Sequence, residues 1–123
     1  SRDVNDYLRD VSGEDVSAKD FRTWGGTVLV ASGLFRAAAA ASAKPLGEGA
    51  RRRLLKAAVC DAAEALGNTP AVCRRSYVHP AVVAAFDAGE FSAAYGEALE
   101  AARRSRPREL RVHEAATLRF LGG

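Results

Sequence analysis

Apolar positions recur every three to four residues along almost the whole chain, and Gly, Pro and Ser punctuate the runs between them. Val4, Tyr7, Leu8 and Val11 give a first short helix that Ser12-Gly13 stops. Ser17 is a good N-cap, with Asp20 in the turn that follows, and from Ala18 a long helix can run to about Ala41. Its predicted core stripe is Phe21, Trp24, Val28, Ala31 and Phe35. Beside that stripe lie Lys19, Arg22, Gly26, Leu29 and Gly33. The pair Gly25-Gly26 weakens the helix by roughly 1 kcal/mol per glycine relative to alanine. Such a pair in mid-helix points to a bend or to another backbone packed closely there.

Ser42–Gly49 reads as a loop, and Ala50–Leu66 as the next helix, with Leu55, Ala58, Val59, Ala62 and Leu66 inward. Gly67 is a natural residue to end it. Thr69 followed by Pro70 is an N-cap with proline at the first helical position, so a new helix starts there. Tyr77 lies about two turns further on. His79-Pro80 interrupts that helix, and Pro80 opens another through Ala88, closed by Gly89. Ser92 is expected to cap a helix over about Ala93–Arg104, with Tyr95 and Leu99 on one face. Ser105–Pro107 is a linker, Glu109–Leu121 a last helix, and Gly122-Gly123 its frayed end. The expected architecture is a single all-α domain over residues 1–123, with six or seven helices and no strand.

Composition agrees with that reading. The chain has 123 residues, and alanine supplies much of its 48% hydrophobic content, which favours helix. No apolar run approaches the length of a membrane span, and Arg2, Asp3 and Asp6 do not suit a signal peptide. Cys60 and Cys73 form no metal-ligand pattern, so two idle thiols in a reducing cytosol, and no metal, are expected. The sequence contains no methionine, which suggests a piece of a longer protein.

Charge is uneven. Residues 1–20 carry three basic and six acidic side chains, residues 21–80 nine and three, and residues 81–123 six of each. The basic excess of the middle segment favours a polyanionic partner. Arg51, Arg52, Arg53 and Lys56 crowd the start of one helix, and Arg74 and Arg75 precede Tyr77. A wet basic face explains such clusters as well as phosphate contact does. Lys19 and Arg22 sit at the positive end of a helix dipole, where an anion would relieve them. Tyr77 close to two arginines is either a phosphate-directed nucleophile or a packed ring. Tyr7 and Tyr95 read as packing residues, His79 as a turn residue and His113 as a surface residue. Arg103, Arg104, Arg106, Arg108 and Arg111 read as a solvated linker rather than a DNA clamp.

Three separated pieces resemble one family. Ala18-Lys19-Asp20-Phe21-Arg22-Thr23-Trp24 is similar to the K-D-[FL]-R-T-[WYF] segment of type IB DNA topoisomerases, specifically the compact bacterial and poxvirus-type enzymes. Leu66-Gly67-Asn68 followed by Tyr77 resembles that family's His-or-Asn and Tyr pair, nine residues apart. Val4-Asn5-Asp6-Tyr7-Leu8 also looks like the bacterial members, and the resemblance covers residues 3–80.

The resemblance implies a tyrosine that attacks a DNA phosphodiester, forms a 3′-phosphotyrosyl bond, frees a 5′-hydroxyl end and later rejoins the strand. It implies no metal and no nucleotide cofactor. Tyr77 would be the nucleophile, Arg22 the transition-state arginine, Asn68 the donor to a non-bridging oxygen and Lys19 an accessory cation. Arg74, Arg75, Arg52 and Lys56 are weaker candidates for DNA contact. The residue types suit the chemistry. A guanidinium clamps two phosphate oxygens and never deprotonates, and an amide adds a neutral donor. Cations beside a tyrosine stabilise the developing phenolate, so no histidine base is obligatory.

The family's full site also holds another arginine and a lysine general acid ahead of the K-x-x-R helix, where this sequence offers only Arg2 and Arg9 as basic residues. The chain is therefore expected to be the C-terminal part of the catalytic domain, crippled without its upstream part. Expected with it are double-stranded DNA as partner, a monomeric state, no membrane and a cytoplasmic, nucleoid-associated location. A tyrosine site-specific recombinase has a similar order but usually shows H-x-x-R and His where this chain has Lys19 and Asn68. A non-catalytic helical DNA-binding module is the other alternative.

Overall fold

One long helix, α1 (Ala18–Ala41), forms the spine on which most of the other elements pack. A computed structural model describes residues 18–41, 47–106 and 110–122, with side chains excepted at 18–22 and 41. Five further helices follow: α2 (Glu48–Leu66), α3 (Pro70–Tyr77), α4 (Pro80–Asp87), α5 (Phe91–Arg104) and α6 (Val112–Phe120). The described residues contain no strand, so the fold is all-α as the sequence predicts. The helix predicted over Val4–Val11 lies outside the described residues, as do positions 42–46 of the predicted loop.

The buried face of α1 is broader than the predicted stripe, and rotated. Thr27, Val30, Ala31 and Leu34 are fully enclosed, whereas Val28 and Phe35 are only half-buried. The rotation follows from packing on two sides, with α2 and α3 against one flank and α5 and α6 against the other. Gly33 approaches Ala58 of α2, and Phe35 meets Tyr95 of α5 at 5.3 Å between ring centres.

α2 starts two residues before the predicted Ala50, with Gly47 at its N-cap and Glu48 favourably placed in the first turn. Its inward face of Leu55, Ala58, Val59 and Ala62 is as predicted. The helix ends at Gly67, whose φ of 72° is a left-handed conformation that glycine adopts without strain. The Asn68 N–H reaches back to the Ala63 carbonyl at 2.9 Å, completing a six-to-one helix-end bond.

The aromatic hub sits at the other end of α1. Phe91 stacks on Tyr95 at 5.1 Å and meets Phe120 edge-on at 5.2 Å, and Phe86 closes on Phe91 at 6.0 Å. Each such pair contributes about 0.5–1.5 kcal/mol beyond its buried area. This hub corrects the predicted start of α5. The helix begins at Phe91, not after Ser92, and Ser92 is an exposed residue inside the first turn. Burial of Phe91 fixes the start more strongly than a serine cap would. α6 likewise starts at Val112 rather than Glu109, where the Glu114 carboxylate accepts the Arg111 N–H at 2.7 Å. Tyr95 is a packing residue, as read. His113 is not on the open surface: it is half-buried, stacked on Tyr95 at 5.9 Å, and its Nδ1 lies 2.9 Å from the Tyr95 hydroxyl.

Candidate active site

The stretch from Leu66 to Pro80 folds as two short non-helical joints around one two-turn helix. Thr69 caps α3, its Oγ1 accepting the Val72 N–H at 3.3 Å, and Pro70 takes the first helical position. Arg74 and Arg75 occupy the last turn of α3, where the dipole favours cations, and both are exposed. Tyr77 is the last residue of the helix and is half-buried. Val78 then turns extended, and His79 caps α4 by accepting the Ala81 N–H on its Nδ1 at 3.0 Å. His79 is therefore a turn residue, as read.

The end of α3 is fastened to α1. Thr23 Oγ1 donates to the Ser76 carbonyl at 3.2 Å, and the His79 N–H donates to Thr27 Oγ1 at 3.0 Å. Between those two bonds the Tyr77 backbone lies directly on Gly26. A Cβ built on Gly26 would overlap the Tyr77 carbonyl oxygen, and would stand 3.1 Å from Tyr77 Cβ and 3.2 Å from Leu66 Cδ1. The close backbone approach inferred from Gly25-Gly26 is thus real and belongs to Gly26. Gly25 meets nothing within 4 Å.

The end of α2, just before Asn68, and the end of α3, which carries Tyr77, meet α1 at Gly26. Leu66, two positions before Asn68, and Tyr77 both reach it. Arg22 is one turn earlier on α1, and Lys19 lies almost one turn before that. Asn68 is half-buried, and its side-chain Nδ2 is shielded from solvent without a hydrogen-bond partner. An unpaired amide donor at this joint is unfavourable by about 1–3 kcal/mol until an acceptor reaches it. The Lys19 and Arg22 side chains lie outside the described residues.

Three of the four weaker candidates share one groove. Arg52, Lys56 and Arg74 line a groove of about 980 Å³ between α2 and α3, with Leu55, Val59 and Pro70 as apolar lining. Lys56 lies 12 residues before Asn68, roughly 18 Å along the helix direction. Arg52 is exposed and paired with the Glu48 carboxylate. Such a pair is worth about 0–1 kcal/mol, so it does little to hold Arg52 away from another anion. Arg75 faces a second depression with Val78, Pro80 and Val83. Of the basic tail, Arg103 pairs with Glu100, and Arg106 Nε donates to the Leu110 carbonyl at 3.0 Å, so Arg106 shapes the turn before α6.

Cys73, fully buried on α3, does not compete with Tyr77 as a nucleophile, because burial pushes its thiol above the usual range. Thr23 and Thr27 escaped the sequence reading. The available signal was two hydroxyl residues one turn apart bracketing a glycine, on a helix face otherwise apolar.

Comparison with known families gives one assignment. The family model described as eukaryotic DNA topoisomerase I, catalytic core, matches residues 1–100. A comparison with curated proteins finds no match. With the Arg22 segment, the Asn68 joint and Tyr77 all inside the matched span, the chain belongs to the DNA topoisomerase I catalytic-core family.

Proposed function

We propose that this chain carries the tyrosine half of a type IB cleavage and rejoining site. The observation that carries the reading is the convergence of Leu66 and Tyr77 on Gly26, one helical turn from Arg22. Tyr77 Oη attacks a DNA phosphorus, the bond to the 5′-oxygen breaks, and the 3′-phosphate remains on the tyrosine. The freed 5′-hydroxyl reverses the step, so the energy of the broken bond is conserved and rejoining needs no nucleotide. Arg22 stabilises the oxygens that gain charge as the fifth bond forms, and the Asn68 amide donates to one of them. Each such preorganised donor is worth about 3–4 kcal/mol in the transition state.

The departing 5′-oxygen needs a proton, and the lysine that the resemblance expects for it belongs to an upstream part of the enzyme. The K-D-F-R-T-W and V-N-D-Y-L segments favour the compact bacterial or poxvirus-type branch of the family. Double-stranded DNA is the substrate, and relaxation of supercoils is the outcome.

A nicked suicide duplex, which traps the covalent complex, tests the assignment in the active enzyme that contains this chain. Tyr77→Phe is expected to abolish the protein–DNA band. A band that persists in Tyr77→Phe assigns the nucleophile elsewhere. Residues 1–123 alone are expected to relax supercoiled plasmid very poorly, and robust relaxation by them would show that the site needs no upstream lysine.

A further inference from the structure

We infer that Thr23, Gly26 and Thr27 are positioning residues for the nucleophile: they hold the Tyr77 backbone in a fixed register against the helix that carries Arg22. The inference rests on the reading of Tyr77 as nucleophile and adds residues that do not touch the phosphate. Three independent contacts fasten one four-residue segment, Ser76–His79, to one turn of α1. Thr23 Oγ1 donates to the Ser76 carbonyl, a group that a helix end otherwise leaves unpaired. Thr27 Oγ1 accepts the His79 N–H at 3.0 Å and donates its own proton to the Thr23 carbonyl at 2.7 Å. The Thr27 hydroxyl is thereby used in both directions and fixed in orientation. Thr27 is only 1% exposed, so water does not replace it as the partner of that N–H. Between the two bonds, Gly26 removes the one side-chain atom that would push the Tyr77 carbonyl away.

Arg22 precedes Thr23 in sequence and stands one turn from Gly26. The nucleophile and the phosphate clamp therefore share a single ruler, the first half of α1. α3 alone could not supply this. It is eight residues long, and it is flanked by extended residues at both ends. A shift of the order of 1 Å between attacking atom and clamp reduces the rate by about a hundredfold. The hydroxyl pair and the glycine thus act on the chemical step and not on DNA affinity.

The test uses the active enzyme containing this chain, the suicide duplex, and single-turnover cleavage at saturating DNA. Thr27→Val keeps the shape and removes the acceptor. It is expected to slow cleavage about tenfold or more, with DNA affinity within about twofold of the parent. Thr27→Ser restores the hydroxyl and is expected to restore the rate to within about threefold. A merely structural threonine would lower the melting temperature and leave the saturated cleavage rate unchanged. If Thr27→Val does not fold, Thr23→Val, at a half-buried position, is read by the same criterion. A folded Thr27→Val or Thr23→Val that cleaves within about twofold of the parent overturns the inference. Tyr77→Phe in the same assay separates the two claims. Loss of its covalent band together with unaffected threonine variants sinks the positioning role alone, and persistence of the band sinks the nucleophile assignment first.

Discussion

Gly25 and Gly26 are adjacent in sequence and opposite in meaning. Both weaken a helix by roughly 1 kcal/mol relative to alanine, but a methyl group on Gly25 enters open space and one on Gly26 enters the Tyr77 carbonyl. Gly25→Ala is therefore expected to stabilise the fold by about 0.5–1 kcal/mol. Gly26→Ala is expected to destabilise it by about 1–3 kcal/mol through overpacking, partly offset by the propensity gain. Chemical denaturation of the two variants checks the opposite signs, and equal effects would remove the close approach. The pair of glycines was readable as a tight contact or a bend, but only the fold says which glycine makes it. Asn68 shows a similar division. Its place after Gly67 and nine residues before Tyr77 is a sequence fact, whereas the unpaired, shielded Nδ2 appears only once the joint is built.

At the scale of elements, the strongest sequence signals were those with local causes. Thr69-Pro70, Gly67 and His79-Pro80 set boundaries by capping, left-handed geometry and the restriction before proline, and α3 and α4 begin where those rules place them. Thr69→Ala is expected to destabilise the protein by about 1 kcal/mol, because the Val72 N–H loses its acceptor. Thr69→Asp should retain most of the stability, and a denaturation midpoint for each variant checks this. The misplaced start of α5 had a tertiary cause, whereas that of α6 follows a local cap at Arg111 and Glu114. Phe91 is enclosed by Phe86 of α4 and Phe120 of α6 as well as by Tyr95 of its own helix, and the first two belong to helices that no local pattern joins to it. The rotated face of α1 has the same origin, since a helix packed on two flanks hides more than the single stripe that periodicity suggests. The contacts of Thr23 and Thr27 were not legible for a related reason. Their partners lie 53 and 52 residues away, beyond the reach of any spacing rule.

At the scale of the whole molecule, α1 joins two regions of different character. Its first half carries the hydrogen-bonded fastening of Tyr77, and its second half leans on the aromatic hub. The hub contains a pH-sensitive contact. Burial lowers the tendency of His113 to take up a proton, and the positive charges of Arg36 and Arg103 add to that. The folded state therefore binds this proton less readily than the unfolded chain, so stability is retained above about pH 6.5 and falls as pH drops below it. His113→Gln is expected to flatten that acid-side decline in melting temperature between about pH 7.5 and 5.5. An unchanged profile would assign the decline to other groups. The fastening at the other end has a mechanical consequence. On the proposed reading a DNA strand is tethered to Tyr77 while the duplex swivels, so any pull on the strand enters the protein at the last residue of an eight-residue helix. Two turns anchored only at their own ends would peel away under such a load. The Ser76 and His79 bonds pass it sideways into α1, a 24-residue beam whose second half is held at Leu34 and Phe35, the latter against Tyr95. Torque from the rotating strand would then be shared along the whole spine instead of being concentrated at the joint that must return the tyrosine to its partner for rejoining.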